Sequence, residues 1–243
     1  MSEITEAETV EPTPGEGTPR GGRVLLHWAR EIGLVLVIAT GLSLLIKTFL
    51  VQAFVIPSPS MEPLLVKGDR VLVTKLAPGP LDLHRGDVIV FSDPDRWLGP
   101  PQHTSSGPVL DAVSAGLTFV GLLPDDADQH LIKRVIGLPG DRVVCCDAAN
   151  RLTVNGTPVD EPYVNPGDLP SEPAFSVTVP PGRLWVMGDH RSVSQDSRFH
   201  QQEAGGGTIS IDDVTGRAFA RVWPLERFTR ISGPSAFDQV HAP

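Results

Sequence analysis

The sequence predicts a mostly β protein in which a single N-terminal transmembrane helix is followed by an antiparallel β domain. Three observations lead there. Fifteen consecutive uncharged residues, 32–46, lie between Glu31 and Lys47. Beyond residue 64 the chain breaks into short β-prone runs punctuated by Gly-Asp and Pro-Gly. No long amphipathic helical pattern interrupts those runs, and such a series favours an antiparallel sheet.

The chain opens with an acidic tail. Residues 1–19 hold Glu3, Glu6, Glu8, Glu11 and Glu16 with no basic residue, so of the net charge of −9 only −4 belongs to the remainder. Proline and glycine are dense through residue 22 and large apolar side chains are scarce, which predicts disorder over 1–22. Neither the tail nor the rest carries the basic balance of a nucleic-acid binder, and none is expected as a partner.

The uncharged run at about 1.5 Å per residue spans only ~22 Å, short of a hydrocarbon core of ~30 Å. Arg30 and Lys47 extend it by snorkelling, giving a membrane helix over 23–50. Arg20, Arg23 and Arg30 precede the run while Lys47 alone follows closely, which places the N-terminus in the cytoplasm and the rest outside. Val51-Gln52-Ala53 also resembles the end of a cleavable export signal; the long preceding tail favours a retained anchor.

The β domain is expected over 51–232. Val66-Lys67-Gly68-Asp69 and Arg85-Gly86-Asp87 are turns that each feed a strand, and Asn155-Gly156 between β-prone flanks is a hairpin signal. Leu184 to Met187 and Arg217 to Trp223 read as further strands. Residues 92–128, rich in Pro, Gly, Ser and Asp, form an insertion, and 233–243 a flexible C-terminal tail. Cys145 and Cys146 are adjacent; a bond between neighbours closes a strained ring, so two free thiols are expected. No further Cys or His completes a zinc spacing, and no cofactor is called for.

Three polar constellations stand out. Ile56-Pro57-Ser58-Pro59-Ser60-Met61-Glu62-Pro63 presents two serines on a backbone stiffened by proline, and Ser60 is the candidate nucleophile. Lys133 lies in the apolar run Leu131 to Leu138, where burial would favour a neutral amine able to act as a base. Gly188 to Arg198 is a turn dense in hydroxyls and charges, including Asp189, Arg191, Asp196 and Arg198. Each alone has a bland reading as linker, solvated strand face or exposed loop. Residues His103, His130, His190, His200 and His241 are scattered and form no recognisable triad with Ser60.

Taken in order, Pro57 to Pro63, Gly68 to Val71, Arg85 to Val90, Lys133 to Asp141 and Gly188 to Arg198 resemble the boxes of bacterial type I signal peptidases, from the membrane segment to about Trp223. The resemblance implies the β fold of that family and a membrane-anchored serine endopeptidase that removes signal peptides from exported preproteins after Ala-x-Ala-like sites. It implies Ser60 as nucleophile, Lys133 as general base, Ser58 with the Ser60 N–H as oxyanion donors, and Ser194 as the residue that orients the lysine. Asp189 with Arg134 and Asp196 with Arg198 would be supporting ion pairs. Phe54, Ile56, Met61, Leu65 and Ile132 match the apolar lining of the substrate pockets. Signal peptides, membrane lipid and a nearby secretion translocon are the implied partners. His190 and Val193 depart from common asparagines, which is expected to weaken the hydrogen bonding of that loop. The alternatives are an inactive membrane-tethered binding or assembly protein, which would lack Ser60 or Lys133, and a self-cleaving repressor-type protease, which needs a DNA-binding N-terminal domain.

Overall fold

The structure is a computed structural model that describes residues 20–93, 97 and 130–243. It divides into two compact units, residues 1–42 and 43–243. The described part of the first is helical: it belongs to α1, which runs Arg20–Phe49 and so continues into the second unit, a proline-free stretch dominated by Leu, Ile, Val and Ala. Its segment His27–Ile46 is long and apolar enough to cross a membrane, and Val35, Leu36, Val37 and Ile38 are all exposed. A soluble helix does not leave such a surface bare, whereas lipid covers it without cost. The expected tail over 1–22 lies outside the described residues apart from its last three, which belong to α1.

The second unit is built from two antiparallel sheets. Its strands are β1 Val51–Val55, β2 Arg70–Thr74, β3 Val88–Ser92, β4 His130–Gly137, β5 Arg142–Cys145, β6 Leu152–Val154, β7 Thr157–Val159, β8 Phe175–Thr178, β9 Arg183–Met187, β10 Ile209–Ser210, β11 Val214–Trp223 and β12 Thr229–Arg230. The larger sheet runs β1-β2-β11-β3-β4-β9-β10, with β12 on β11; the smaller runs β7-β6-β5-β8. The β6–β7 hairpin turns on Asn155 and Gly156 at φ 52° and 78°, the left-handed conformation that Asn-Gly adopts at least cost.

Three X-X-Gly-Asp turns repeat one device. The Asp69 carboxylate accepts the Val66 N–H, Asp87 that of His84 and Asp141 that of Leu138, at 2.9, 2.9 and 2.7 Å. Each aspartate is buried and meets an arginine distant in sequence or on a neighbouring turn: Arg227, Arg217 and Arg85 respectively. A bare buried carboxylate would be costly, so the turn N–H and the guanidinium together make each turn a fixed entry into β2, β3 and β5.

Two expectations are corrected here. Cys145 and Cys146 are joined to each other as a disulfide and leave no free thiol. The C-terminal segment is anchored rather than loose: Phe237 and Val240 are buried in the core beside Trp185, and Arg85 and Asn155 donate to the His241 carbonyl. Apolar side chains at a three- to four-residue spacing make that packing possible. The insertion over 92–128 lies, apart from residues 92, 93 and 97, outside the described residues.

Candidate active site

Three elements of the large sheet bring the polar constellations together. β1 delivers the chain into the Pro57 to Pro63 turn, where the Glu62 N–H bonds to the Pro59 carbonyl and closes a tight bend around Ser60. β4 sits between β3 and β9 with Lys133 opposite Ile89. β9 ends at Met187 and releases the Gly188 to Arg198 turn.

Lys133 Nζ lies 2.7 Å from Ser60 Oγ. The two residues are 3% and 5% exposed, so each is the other's close partner within the protein interior. Burial is the main influence on the lysine and pushes it down to about 8; Asp196 and Asp189 oppose that, and Arg198 adds to it. With a neutral amine the hydroxyl donates to nitrogen, the polarity required to activate an alcohol. Ser58 Oγ stands 3.2 Å from Ser60 Oγ, on the same side of the turn.

The Gly188 to Arg198 turn is held by buried charge. Arg134 grips Asp189 with two hydrogen bonds, 2.8 and 2.5 Å, and donates a third to the Gly86 carbonyl. Arg198 forks onto Asp196 at 2.8 and 2.9 Å. Burial would raise the Asp196 carboxyl, but Arg198, the Gly188 N–H and Lys133 more than offset it and keep it ionised. Asp196 is therefore both an anchor of the turn and the anion with the largest influence on Lys133.

Gly188 marks the closest approach in the site. A Cβ there would fall 2.3 Å from Ser194 Oγ and 2.5 Å from the Ser60 carbonyl oxygen, distances no side chain tolerates. Ser194 Oγ is buried against this glycine and has no hydrogen-bond partner among the described residues. At the two sequence departures the side chains make few hydrogen bonds, the buried His190 Nδ1 having none among the described residues, while the main chain still holds the loop: the His190 N–H donates to the Ser60 carbonyl at 3.1 Å, and the His190 carbonyl accepts from the Val193 and Ser194 N–H groups. Those bonds are made by the main chain, which no change from asparagine removes. The His190 ring lies 3.7 Å from Glu62 and 4.0 Å from Asp168.

Phe54, Ile56, Met61, Leu65 and Ile132 are all buried in one apolar cluster that includes Val71, Val73, Val88 and Val90. Residues that sequence reading passed over also reach the site: Glu161 and Tyr163 contact Arg191 and Arg134, and Asp168 bonds Ser192. Glu161-Pro162-Tyr163 follows the hairpin and reads as an ordinary loop, so only the fold reveals it.

The site is thus a buried serine–lysine pair on an antiparallel β framework, preceded in sequence by an apolar helix, an arrangement compatible with a serine hydrolase. The sequence pattern of the signal peptidase family, peptidase S26, matches residues 27–223. The chain is 37% identical over 242 residues to a signal peptidase I of Mycobacterium tuberculosis (strain ATCC 25618 / H37Rv), covering 91% of this chain and 79% of that one. It is 38% identical over 225 residues to a probable signal peptidase I of Mycobacterium leprae (strain TN), covering 82% and 77%, and 30% identical over 237 residues to a signal peptidase I of Leptolyngbya laminosa, covering 97% and 98%. The chain belongs to the signal peptidase family, peptidase S26, serine endopeptidases whose function is signal-peptide cleavage. α1 is consistent with the membrane anchor of such an enzyme.

Proposed function

We propose that Ser60 is the nucleophile and Lys133 the general base of this signal peptidase. The observation that carries the reading is the 2.7 Å contact between their side chains, with both buried. Neutral Lys133 takes the Ser60 proton as Oγ attacks the scissile carbonyl, and returns it to the leaving amine; water then hydrolyses the acyl-enzyme. The Ser58 hydroxyl and the Ser60 N–H stabilise the oxyanion. Ser194, packed beside Gly188, limits the positions open to the lysine amine. Arg134 with Asp189 and Arg198 with Asp196 hold the turn without taking part in the chemistry.

The substrate is the end of a signal peptide bound as an added strand. β1 pairs with β2 alone, and β4 pairs with β9 only from Arg134 onward, so residues 130–133 have a neighbouring strand on one side among the described residues. Those unpaired main-chain groups are open to an extended peptide, while Phe54, Ile56, Met61, Leu65 and Ile132 form shallow apolar pockets that admit small side chains such as the alanines of Ala-x-Ala. The N-terminus is cytoplasmic and residues 51–232 lie outside the plasma membrane, near lipid and the secretion translocon.

Cleavage of a purified preprotein in detergent, by wild type, Ser60→Ala and Lys133→Met, tests the assignment. Each variant is expected to lose at least about 10³-fold in rate while staying folded. Full activity in Ser60→Ala would sink it.

A further inference from the structure

Residues 161–170 belong to none of the motifs that define the site, yet they clamp the turn that carries its charges. Arg191 is fully enclosed, and its guanidinium reaches Glu161 through two hydrogen bonds, 2.6 and 3.1 Å, the Pro170 carbonyl at 2.7 Å and, through Nε, the Gly188 carbonyl at 2.8 Å. Burial disfavours the Arg191 cation and Glu161 more than offsets it. Tyr163 donates its hydroxyl to the same carboxylate at 2.6 Å, and the Arg134 guanidinium lies 4.3 Å over the Tyr163 ring. Burial and the Glu161 charge keep the phenol protonated, so it is a donor at any working pH. A main-chain bond completes the clamp, the Asn165 N–H donating to the Asp189 carbonyl at 2.9 Å.

The held atoms matter. Gly188, whose carbonyl Arg191 grips, is the residue that abuts both Ser194 Oγ and the Ser60 carbonyl, and its N–H is the one that Asp196 accepts. The next residue but one, His190, donates its N–H to the Ser60 carbonyl. A shift of the Gly188 peptide by a few tenths of an ångström therefore moves the wall behind the nucleophile and the anion facing the lysine together.

We propose that Glu161, acting through Arg191 and assisted by Tyr163, is a positioning residue for the Ser60–Lys133 pair, setting the place of the Gly188 peptide. This rests on the assignment of Ser60 and Lys133 made above. A buried bidentate ion pair suits that role, because its geometry is specific and removing one member leaves the other charge uncompensated. It touches no substrate, so its effect falls on turnover rather than on binding.

The test is steady-state cleavage by the full chain in detergent of a fluorogenic peptide spanning an Ala-x-Ala site, with kcat referred to the folded fraction measured by circular dichroism. Glu161→Gln, which keeps the shape and loses the charge, is expected to lower kcat about tenfold with KM within about twofold. Tyr163→Phe, which removes one hydroxyl and keeps the ring under Arg134, is expected to lower kcat about threefold. A purely structural brace would reduce the folded fraction and leave its kcat untouched, and that result overturns the proposal, as does a raised KM at unchanged kcat. If Glu161→Gln does not fold, Tyr163→Phe decides by the same criterion. Ser60→Ala in the same assay separates the two claims: an active Ser60→Ala defeats the nucleophile assignment, whereas an inactive one beside unchanged Glu161→Gln and Tyr163→Phe defeats only the positioning role.

Discussion

At Lys133 the competition is between burial, which favours the neutral amine, and Asp196, which favours the ammonium; burial prevails and leaves the group at about 8. If its neutral form is the base, kcat/KM rises with pH through that value, because the fraction of free amine rises, and levels off above it. A pH series on a peptide substrate from 6 to 10 checks this, and a flat profile would remove the lysine from the base role. Ser60 and Lys133 were legible because proline-fixed serines after an apolar run and a lysine among branched apolar residues are chemically conspicuous. Glu161 and Tyr163 were not, because a carboxylate and a phenol on a loop look solvated until the fold buries them against Arg191 and Arg134. The closure between Cys145 and Cys146 was likewise not legible, since adjacency in sequence says nothing of whether two thiols are joined.

Among the elements, the turn after β9 is the most constrained. Gly188→Ala would drive a methyl into the Ser60 carbonyl, which belongs to the main chain and cannot swing aside. We expect a loss of kcat of at least about 100-fold with a destabilisation of about 1–3 kcal/mol, the usual cost of overpacking, readable by peptide cleavage together with thermal melting. The strands were legible for ordinary reasons: alternation in Arg70 to Thr74, the branched run Val88 to Phe91, and Asn-Gly between β6 and β7. What escaped was their partnering. Nothing local to Asp69, Asp87 or Asp141 tells that Arg227, Arg217 and Arg85 close over them: the first two contacts form only when β11 and its flank return to the sheet, and the third only when the turn before β3 meets the turn before β5. The packing of Phe237 and Val240 escaped for the same reason, their partners lying far back in the chain.

For the whole molecule, the division at residue 42 falls within α1 and separates most of that apolar helix from a unit with its own three apolar clusters. A chain beginning at Ser43 should therefore fold in detergent with a melting midpoint within about 3 °C of the full chain and cleave a short peptide at a comparable rate, while cleaving a preprotein embedded in vesicles at least about tenfold more slowly because it is no longer concentrated at the bilayer. Loss of cooperative melting would place part of the core in the removed segment. Residues 130–133 of β4, which among the described residues have a neighbouring strand on one side only, have a bearing on solubility as well. A bare sheet edge invites other copies to stack edge to edge into aggregates, and the hazard grows with its length. Four residues span only about 13 Å, and the strand is capped beyond them by β9. Such a slot is long enough to admit a single extended visitor and too short to seed a growing sheet, so, on the peptide-docking reading proposed above, that edge can stay open to one substrate strand without polymerising through it.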